Sequence, residues 1–257
     1  MKESLIDRLL MYFIKEDPRY EDVVLPKSLE EKRLLLRGMI NVREPHEIPE
    51  EILSLEDQLL QTELQEKKIT DVSTFPNQVT VWKGDITTLK CDAIVNACNA
   101  YLLGCFIPNH HCIDNQIHTY AGIRMRLTCN EIMQGKTLPN GEVVVTPGYN
   151  LPCKYVFQTV GPQIQHEVTL KDKEDLKACY LHSLEEASKK KLKSIAFPCI
   201  STGVYGFPKK LACKIAVQTT LDYLRHHQTS IEKVVFNVFT EEDEYYYEQI
   251  CKNQTIN

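Results

Sequence analysis

The first 70 residues repeat apolar positions at helical spacing. The segment 52–64 does so at intervals of three and four, and Ser28 with Glu31 has the spacing of a helix capping box. Pro45 and Pro49 interrupt the middle of the region. The pattern predicts amphipathic helices on both sides of that interruption. The apolar stripe of the first helix consists of Leu5, Leu9, Met11 and Tyr12.

From Val79 onward the pattern changes to short runs rich in β-branched residues. Six runs, most of them bounded by Gly, Pro, Asn or Asp, predict strands: VTVW, DAIVNA, EVVVTPG, YVFQTV, SIAFPC and KVVFNVF. Helical stretches lie between several of them, over about 113–133, 173–191, 208–227 and 241–252. This alternation indicates an α/β fold around a largely buried sheet. We therefore divide the chain into a helical N-terminal extension, 1–75, and an α/β domain, 76–257.

Composition separates the same two parts. The first 75 residues carry 11 Lys and Arg against 17 Asp and Glu, whereas the remainder carries 19 against 18. Only one of the ten Gly precedes Gly84, and none of the ten Cys precedes Cys91. A net charge of −5 and a pI near 5.9 argue against a broad basic face that binds nucleic acid.

We expect neither secretion nor a membrane-spanning segment. No apolar run approaches the roughly 18 residues that a spanning helix needs, and charges interrupt the N-terminus every few positions. Ten Cys, unevenly placed, are typical of reduced thiols with room for a metal site rather than of a disulfide framework. We expect a cytoplasmic monomer without membrane or nucleic-acid partners.

The sharpest chemical cluster lies in the segment GCFIPNHHCIDN. Cys105, His110 and Cys112 form a C-x-x-x-x-H-x-C pattern in a predicted loop, and thiolate with imidazole ligands favours zinc. Neighbouring residues in an extended loop point opposite ways, so His110 pairs better with Cys112 than His111 does. Three ligands without a recognisable fourth resemble a catalytic zinc site, which keeps one position open.

Two alternatives to an open metal site remain at this point. Cys91 or Cys98 would close the site as a fourth ligand, although both lie in or beside a predicted strand. Otherwise the loop thiols are small buried hydrophobes and the two histidines lie on the surface.

Polar or glycine-rich residues follow three of the predicted strands. The run 201–206 precedes a helix that begins near Pro208, and a glycine loop at a helix N-terminus suits an anionic phosphate. Asn96 and Asn99 end the strand DAIVNA, and Asp85 follows VTVW. Ligands gather at the carboxyl ends of strands in α/β folds. Each feature alone also fits a structural role, as a glycine turn, a strand cap or a turn carboxylate.

Together these segments resemble a macrodomain. The shared segments are KGDITTLKCDAIVNACNAYLLG, TVGP and PCISTGVYGFP, in this order, within about residues 78–250. The insertion GCFIPNHHCIDNQIHTYAG and the helical extension resemble the zinc-dependent subclass. The resemblance implies a three-layer α/β/α sandwich with a mixed sheet and an ADP-ribose cleft at the carboxyl ends of its strands. It also implies hydrolysis of mono-ADP-ribose from modified proteins.

The resemblance assigns roles to individual residues. Asp85 matches the acid at the adenine amine, and Phe239 lies near the position of an aromatic that packs on adenine. The loop 203–206 matches the one that wraps the pyrophosphate. Asn99 and Asp114 match polar positions at the distal ribose and are the expected catalytic residues. The expected substrate-binding residues are Asp85, Ile86, Asn99, Ser201, Thr202, Gly203, Val204, Tyr205, Gly206 and Phe239. The residues that match the ligands of one zinc ion per chain are Cys105, His110 and Cys112.

Two positions depart from the family's pattern. Cys98 occupies a position that is often Ala, and Gln158 precedes TVGP where many macrodomains carry His. Neither lies in the metal loop, but Gln158 removes one titratable candidate from that edge of the sheet.

The resemblance gives a mechanistic hypothesis. Zinc engages the distal ribose or a bound water beside C1″, while Asn99 and Asp114 orient the ribose and the nucleophile. The competing interpretations are a module that binds ADP-ribose without turning it over (a reader), an O-acetyl-ADP-ribose deacetylase, and a degenerate cleft in which zinc has only a structural role in the loop. Similar proteins are often encoded in bacteria beside a sirtuin-like ADP-ribosyltransferase and a lipoyl-carrier protein, which makes that carrier a candidate substrate.

Overall fold

The computed structural model describes residues 2–255 and confirms the α/β class. The α-helices are α1 (Lys2–Glu16), α2 (Leu29–Val42), α3 (Glu50–Gln65), α4 (Ile113–Ala121), α5 (Ile123–Met133), α6 (Leu170–Lys189), α7 (Lys209–His226) and α8 (Glu241–Thr255). The strands are β1 (Thr70–Asp71), β2 (Val79–Lys83), β3 (Leu89–Lys90), β4 (Ala93–Ala97), β5 (Val143–Pro147), β6 (Tyr155–Thr159), β7 (Ser194–Phe197) and β8 (Lys233–Val238). None of the described helices is long and apolar enough to span a membrane.

The six predicted strands form one mixed sheet. Its order is β2-β8-β7-β4-β6-β5, and β5 runs antiparallel to β6 while the other neighbours are parallel. The short strands β1 and β3 form a separate parallel pair. Because five strands of the main sheet run the same way, their carboxyl ends lie along one edge.

Helices cover both faces of the sheet. In β4, Ala93 and Val95 face a core that includes residues of α6, α7 and α8, whereas Ile94 faces a core that includes residues of α4 and α5. Successive side chains of a strand point to opposite faces, so a strand covered on both sides is apolar throughout. The predicted three-layer sandwich with a mixed sheet is confirmed.

The N-terminal helices α1, α2 and α3 enclose a third apolar cluster. Leu9, Leu36 and Leu59 are buried there, and Ile123 of α5 joins them. The extension therefore packs on the α/β part as well as on itself. Met11 is a correction to the predicted stripe, because it is 53% exposed. The buried face of α1 runs instead through Leu5, Ile6, Leu9, Leu10 and Phe13.

The helix predicted over 113–133 is broken at Gly122. This residue has a φ of +96°, and a Cβ atom there would lie 3.1 Å from Oε2 of Glu56 on α3. The same carboxylate accepts the backbone N–H of Ile123 at 2.8 Å, so a buried acid of the extension caps the start of α5. Burial raises the pKa of Glu56 to about 7.

We expect Glu56→Gln to raise the free energy of unfolding above pH 7 by about 3 kcal/mol at most. The pKa of Glu56 is raised from 4.5 to about 7, so between these values the folded chain binds more protons than the unfolded chain. The free energy of unfolding therefore falls as the pH rises through this window, and Gln removes that loss. Urea denaturation at pH 5 and pH 8 measures the difference.

The matched control for this prediction is Glu51→Gln, a change of an exposed acid on the same helix. It should leave the pH dependence of stability as it is in the wild type. A stability difference between Glu56→Gln and wild type that is the same at both pH values would contradict the prediction.

Candidate active site and metal centre

The predicted site residues lie in a row along the carboxyl edge of the sheet. The strands β2, β8, β7 and β4 are consecutive neighbours in that sheet. Asp85 follows β2, Phe239 follows β8, the loop 201–206 follows β7 and Asn99 follows β4. Residues far apart in sequence are thus brought to one edge, in the order that the resemblance assigns to adenine, pyrophosphate and distal ribose.

Asp85 stands at one end of this row and organises a turn. Its Oδ1 accepts the N–H and the hydroxyl of Thr87 at 2.9 and 2.6 Å, which caps the 3-10 helix Ile86–Thr88. Its Oδ2 lies 3.4 Å from Nζ of Lys67, a contact that the sequence did not indicate. Ile86 is 2% exposed, so its side chain belongs to the core. Phe239 is 80% exposed and offers a free apolar face.

The loop 201–206 is compact and precedes α7. Ser201 adopts a left-handed φ of +64° and Gly206 one of +69°. The N–H of Phe207 donates to the carbonyl of Ser201 at 2.9 Å, and the N–H of Gly206 to that of Gly203 at 3.0 Å. Gly203 and Val204 are exposed, whereas Thr202 and Tyr205 are half-buried. Among the described residues nothing accepts from or donates to the buried Ser201 hydroxyl.

The segment after β6 packs tightly against this loop. A Cβ atom on Gly161 would lie 2.1 Å from Oγ of Ser201, so only glycine permits the approach. The N–H of Ile164 donates to the carbonyl of Tyr205 at 2.8 Å. The loops after β6 and β7 therefore support each other.

The other end of the row holds a buried carboxylate. Asp114 lies in the first turn of α4, where Oδ1 accepts from Nδ2 of Asn96 at 2.8 Å and Oδ2 accepts from Nδ2 of Asn99 at 3.4 Å. Burial raises the pKa of Asp114 to about 6, although the Asn96 amide and the charge of Arg126 act against the shift. The N-cap of α4 is Cys112, and the carboxylate of Asp114 accepts from the two amides.

His118 and Gln158 lie next to this carboxylate. Nε2 of His118 is 3.6 Å from Oδ1 of Asp114, too far for a hydrogen bond. Burial and the charge of Arg126 lower the pKa of His118 to about 3, so its imidazole is neutral near pH 7. Gln158 accepts from Nδ2 of Asn96 at 2.8 Å, so this amide donates to both Gln158 and Asp114.

The three predicted metal ligands meet in space. The ligand atoms of Cys105, His110 and Cys112 all lie within 4.8 Å of one another, and Sγ of Cys105 is 3.5 Å from Nδ1 of His110. Ordinary zinc bond lengths in a tetrahedral site separate sulfur and nitrogen by about 3.5 Å. The donor set and this spacing fit zinc. Burial and the nearby Cys105 thiol raise the pKa of Cys112 to about 12, and a bound cation would oppose that shift.

The competing ligands lie elsewhere. His111 is exposed, and its Nδ1 lies 3.3 Å from Nε2 of Gln116. It therefore points away from the ligand cluster, as expected for the neighbour of His110 in an extended loop. Cys98 is buried and its thiol contacts the carbonyl of Thr159. Within residues 2–255, the cluster of possible ligands holds three residues and contains neither Cys91 nor Cys98.

Comparison with known proteins gives the family. A family profile described as "Macro domain" matches residues 95–216. A relative from Treponema medium, named protein-ADP-ribose hydrolase, is 44% identical over 252 residues, which cover 94% of this chain and 96% of the relative. The chain belongs to the macrodomain family. A protein of the same name from Staphylococcus aureus (strain MRSA252) is 46% identical to this macrodomain over 228 residues, covering 86% of this chain and 85% of the relative.

Solved macrodomain structures resemble this one. A variant of the Oceanobacillus iheyensis macrodomain with ADPR superposes with a TM-score of 0.65 and 36% identity. It covers 70% of this macrodomain, which in turn spans 95% of that chain.

Arg126 is a site residue of this macrodomain that the sequence did not reveal. Its guanidinium is buried and donates to the carbonyls of Leu103, Ile40, Asn41 and Arg43 at 2.6 to 3.1 Å. Two of these carbonyls, those of Ile40 and Asn41, belong to the last turn of α2, and Arg43 is its C-cap. Leu103 lies in the approach to the metal loop. An arginine in an amphipathic helix has no sequence signature for carbonyl partners, because every residue carries a carbonyl.

Proposed function

We propose that this macrodomain is a zinc-dependent hydrolase that removes mono-ADP-ribose from modified proteins by cleaving the bond at C1″ of the distal ribose. The observation that carries the proposal is that the buried carboxylate lies next to the cluster of possible metal ligands. Asp114 lies two residues after Cys112, and Asn99 donates to the carbonyl of Gly104, the residue before Cys105, at 2.9 Å. The curated relatives named protein-ADP-ribose hydrolase support the reaction class.

Zinc would be held by Cys105, His110 and Cys112. When bound, it lowers the pKa of a water towards about 7 or stabilises charge on an oxygen as a Lewis acid. Three protein ligands leave one of the four usual positions to a water or substrate, which is the arrangement of catalytic rather than structural zinc sites.

Asp114 and its amides would orient the distal ribose. Oδ1 of Asp114 is held by Asn96 at 2.8 Å, whereas the bond from Asn99 to Oδ2 is long at 3.4 Å. Oδ2 is therefore the oxygen with capacity left to accept from a ribose hydroxyl or an attacking water. Asn96 is itself held by Gln158, so the carboxylate is fixed before substrate arrives.

The remainder of ADP-ribose would follow the row to Asp85. The N–H groups of the loop 201–206 and the start of α7 would receive the pyrophosphate. Phe239, 80% exposed, supplies a flat apolar face for adenine, and Asp85 an acceptor for its amine.

The proposed macromolecular partner is a mono-ADP-ribosylated protein, with a lipoyl carrier as the candidate. We place the reaction in the cytoplasm, because ten unevenly placed cysteines are typical of reduced thiols.

The test is release of ADP-ribose from a mono-ADP-ribosylated protein, followed by mass spectrometry. We expect turnover by the zinc-loaded enzyme, loss of turnover after chelation, and recovery when zinc is restored. Circular dichroism of both forms checks that the fold is retained, since metal binding also contributes to folding.

Other outcomes of this test separate the competing functions. Binding of ADP-ribose without release from either form would favour a reader. Faster turnover of O-acetyl-ADP-ribose than of the modified protein would favour a deacetylase. Full turnover of the chelated enzyme, with stability alone reduced, would give zinc a structural role and contradict the proposal.

A further inference from the structure

The loop that carries the metal ligands is fastened to helix α2 of the extension. Arg37 donates through Nη2 to the carbonyl oxygen of His110 at 2.9 Å and to Oδ1 of Asn115 at 2.8 Å. Asn41, one turn further along α2, accepts the N–H of Asn109 at 3.0 Å through Oδ1. The loop is thus hydrogen-bonded to a helix far earlier in the chain, with 73 residues separating Arg37 from His110.

Asn115 extends this connection to the other two ligands. Its Nδ2 donates to the carbonyls of Cys105 and Ile107 at 3.3 and 3.1 Å. Its backbone N–H donates to Sγ of Cys112 at 3.4 Å. Since Oδ1 of Asn115 accepts from Arg37, all three ligand residues are within two hydrogen bonds of one guanidinium.

This hydrogen-bond network lies in the interior of the protein and orders the loop. Asn115 is 1% exposed, and Thr119 donates to its Oδ1 at 3.3 Å while accepting from Asn41 at 3.2 Å. A loop without regular secondary structure has to be ordered before three ligands can bind one ion together, and ordering it in advance removes that cost from metal binding.

We propose that Arg37 is a positioning residue that sets the metal affinity of the Cys105, His110 and Cys112 site through Asn115. This inference rests on the metal of the proposed function. Partners that orient metal ligands from outside the coordination sphere typically change metal affinity by 10- to 100-fold when mutated. Arg37 is such a partner and belongs to the extension. The helices before residue 76 therefore take part in building the metal centre.

Arg33 provides a matched control one turn earlier on α2. Its Nε and Nη2 donate to the two carboxylate oxygens of Glu63 on α3 at 2.7 and 2.9 Å. Arg33→Met therefore removes a partly buried ion pair inside the extension, and neither of these two hydrogen bonds involves the metal loop.

The experiment compares zinc dissociation constants of the full chain by competition with a chromophoric chelator. We expect Arg37→Met to weaken zinc binding by about 10- to 100-fold, Arg37→Lys to weaken it less, and Arg33→Met to leave it unchanged. The visible absorption of the Co²⁺-loaded proteins gives a second readout, because it follows ligand geometry. Thermal unfolding of the metal-free proteins reports any loss of fold.

Equal zinc affinity in Arg37→Met and wild type would overturn the inference. An equal loss in Arg33→Met would also overturn it, since the effect would then follow from a loosened extension. Should Arg37→Met not fold, Asn115→Asp keeps the side-chain volume but removes the Nδ2 donor to Cys105 and Ile107, and normal zinc affinity in that variant overturns the inference equally. A wild-type chain that binds no zinc would remove the metal from the proposed function, and this inference with it.

Discussion

Cys105→Ala is expected to lower ADP-ribose release by about 1,000-fold or more while the fold is retained. The thiol is half-buried and lies 3.5 Å from Nδ1 of His110, so its removal leaves two ligands for the metal. A factor of 1,000 corresponds to about 4 kcal/mol, the scale of stabilisation that a metal ion gives to transition-state charge. Turnover of a mono-ADP-ribosylated protein and zinc content by mass spectrometry are measured together.

The histidine pair supplies an internal comparison for this prediction. His110→Ala should lose both zinc and turnover, whereas His111→Ala should keep both, because His111 is exposed and outside the ligand cluster. The two changes alter neighbouring residues in the same loop by the same chemistry. Full turnover by zinc-free Cys105→Ala would contradict the proposed role of the metal.

Asp114→Asn is expected to lower kcat by about 100-fold or more with ADP-ribose binding largely retained. The two side chains have nearly the same shape, but the amide has one acceptor oxygen where the carboxylate has two. Asn96 and Asn99 would then compete for that oxygen, and the negative charge that we propose to lie beside the scissile bond would be lost. Single-turnover release of ADP-ribose measures the chemical step, and calorimetry measures the binding.

Asp92→Asn tests whether such a loss is specific to the site. Asp92 precedes β4 at the end opposite to Asn96, where it accepts the N–H of Lys193 at 2.7 Å and pairs with Lys154 at 2.6 Å. This variant should lose stability and keep its turnover. An unaltered kcat in Asp114→Asn would reduce that carboxylate to a structural acid.

The sheet could be predicted from sequence because each strand carries its own local signal. Runs such as DAIVNA and SIAFPC are apolar, β-branched and bounded by breakers, and both lie in the centre of the sheet. The helix over 113–133 was predicted without its break, since glycine inside a helical pattern does not reveal a φ of +96°. The carboxylate that accepts the N–H of Ile123 after this break belongs to Glu56, which lies on another helix.

The cluster of possible metal ligands could be predicted for the same local reason. Cys105, His110 and Cys112 lie within eight consecutive positions, so their pattern can be recognised in a short segment of sequence. Arg37 could not be predicted, because its acceptors include the backbone carbonyl of a residue 73 positions away. In the sequence, an arginine on a polar helix face that will bind a distant carbonyl looks the same as one that is solvated. What the sequence lacked was the tertiary contact, not the residue type.

The guanidinium of Arg126 limits how this protein can be shortened. The residue is 5% exposed, and its guanidinium donates three hydrogen bonds to carbonyls in the last turn and the C-cap of α2. In a fragment that begins at residue 76 those three acceptors are gone, and of the four carbonyls only that of Leu103 remains. Transfer of the proposed ADP-ribose cleft into another protein, as a sensor or a fusion, therefore keeps these hydrogen bonds only when the N-terminal helices are carried with it.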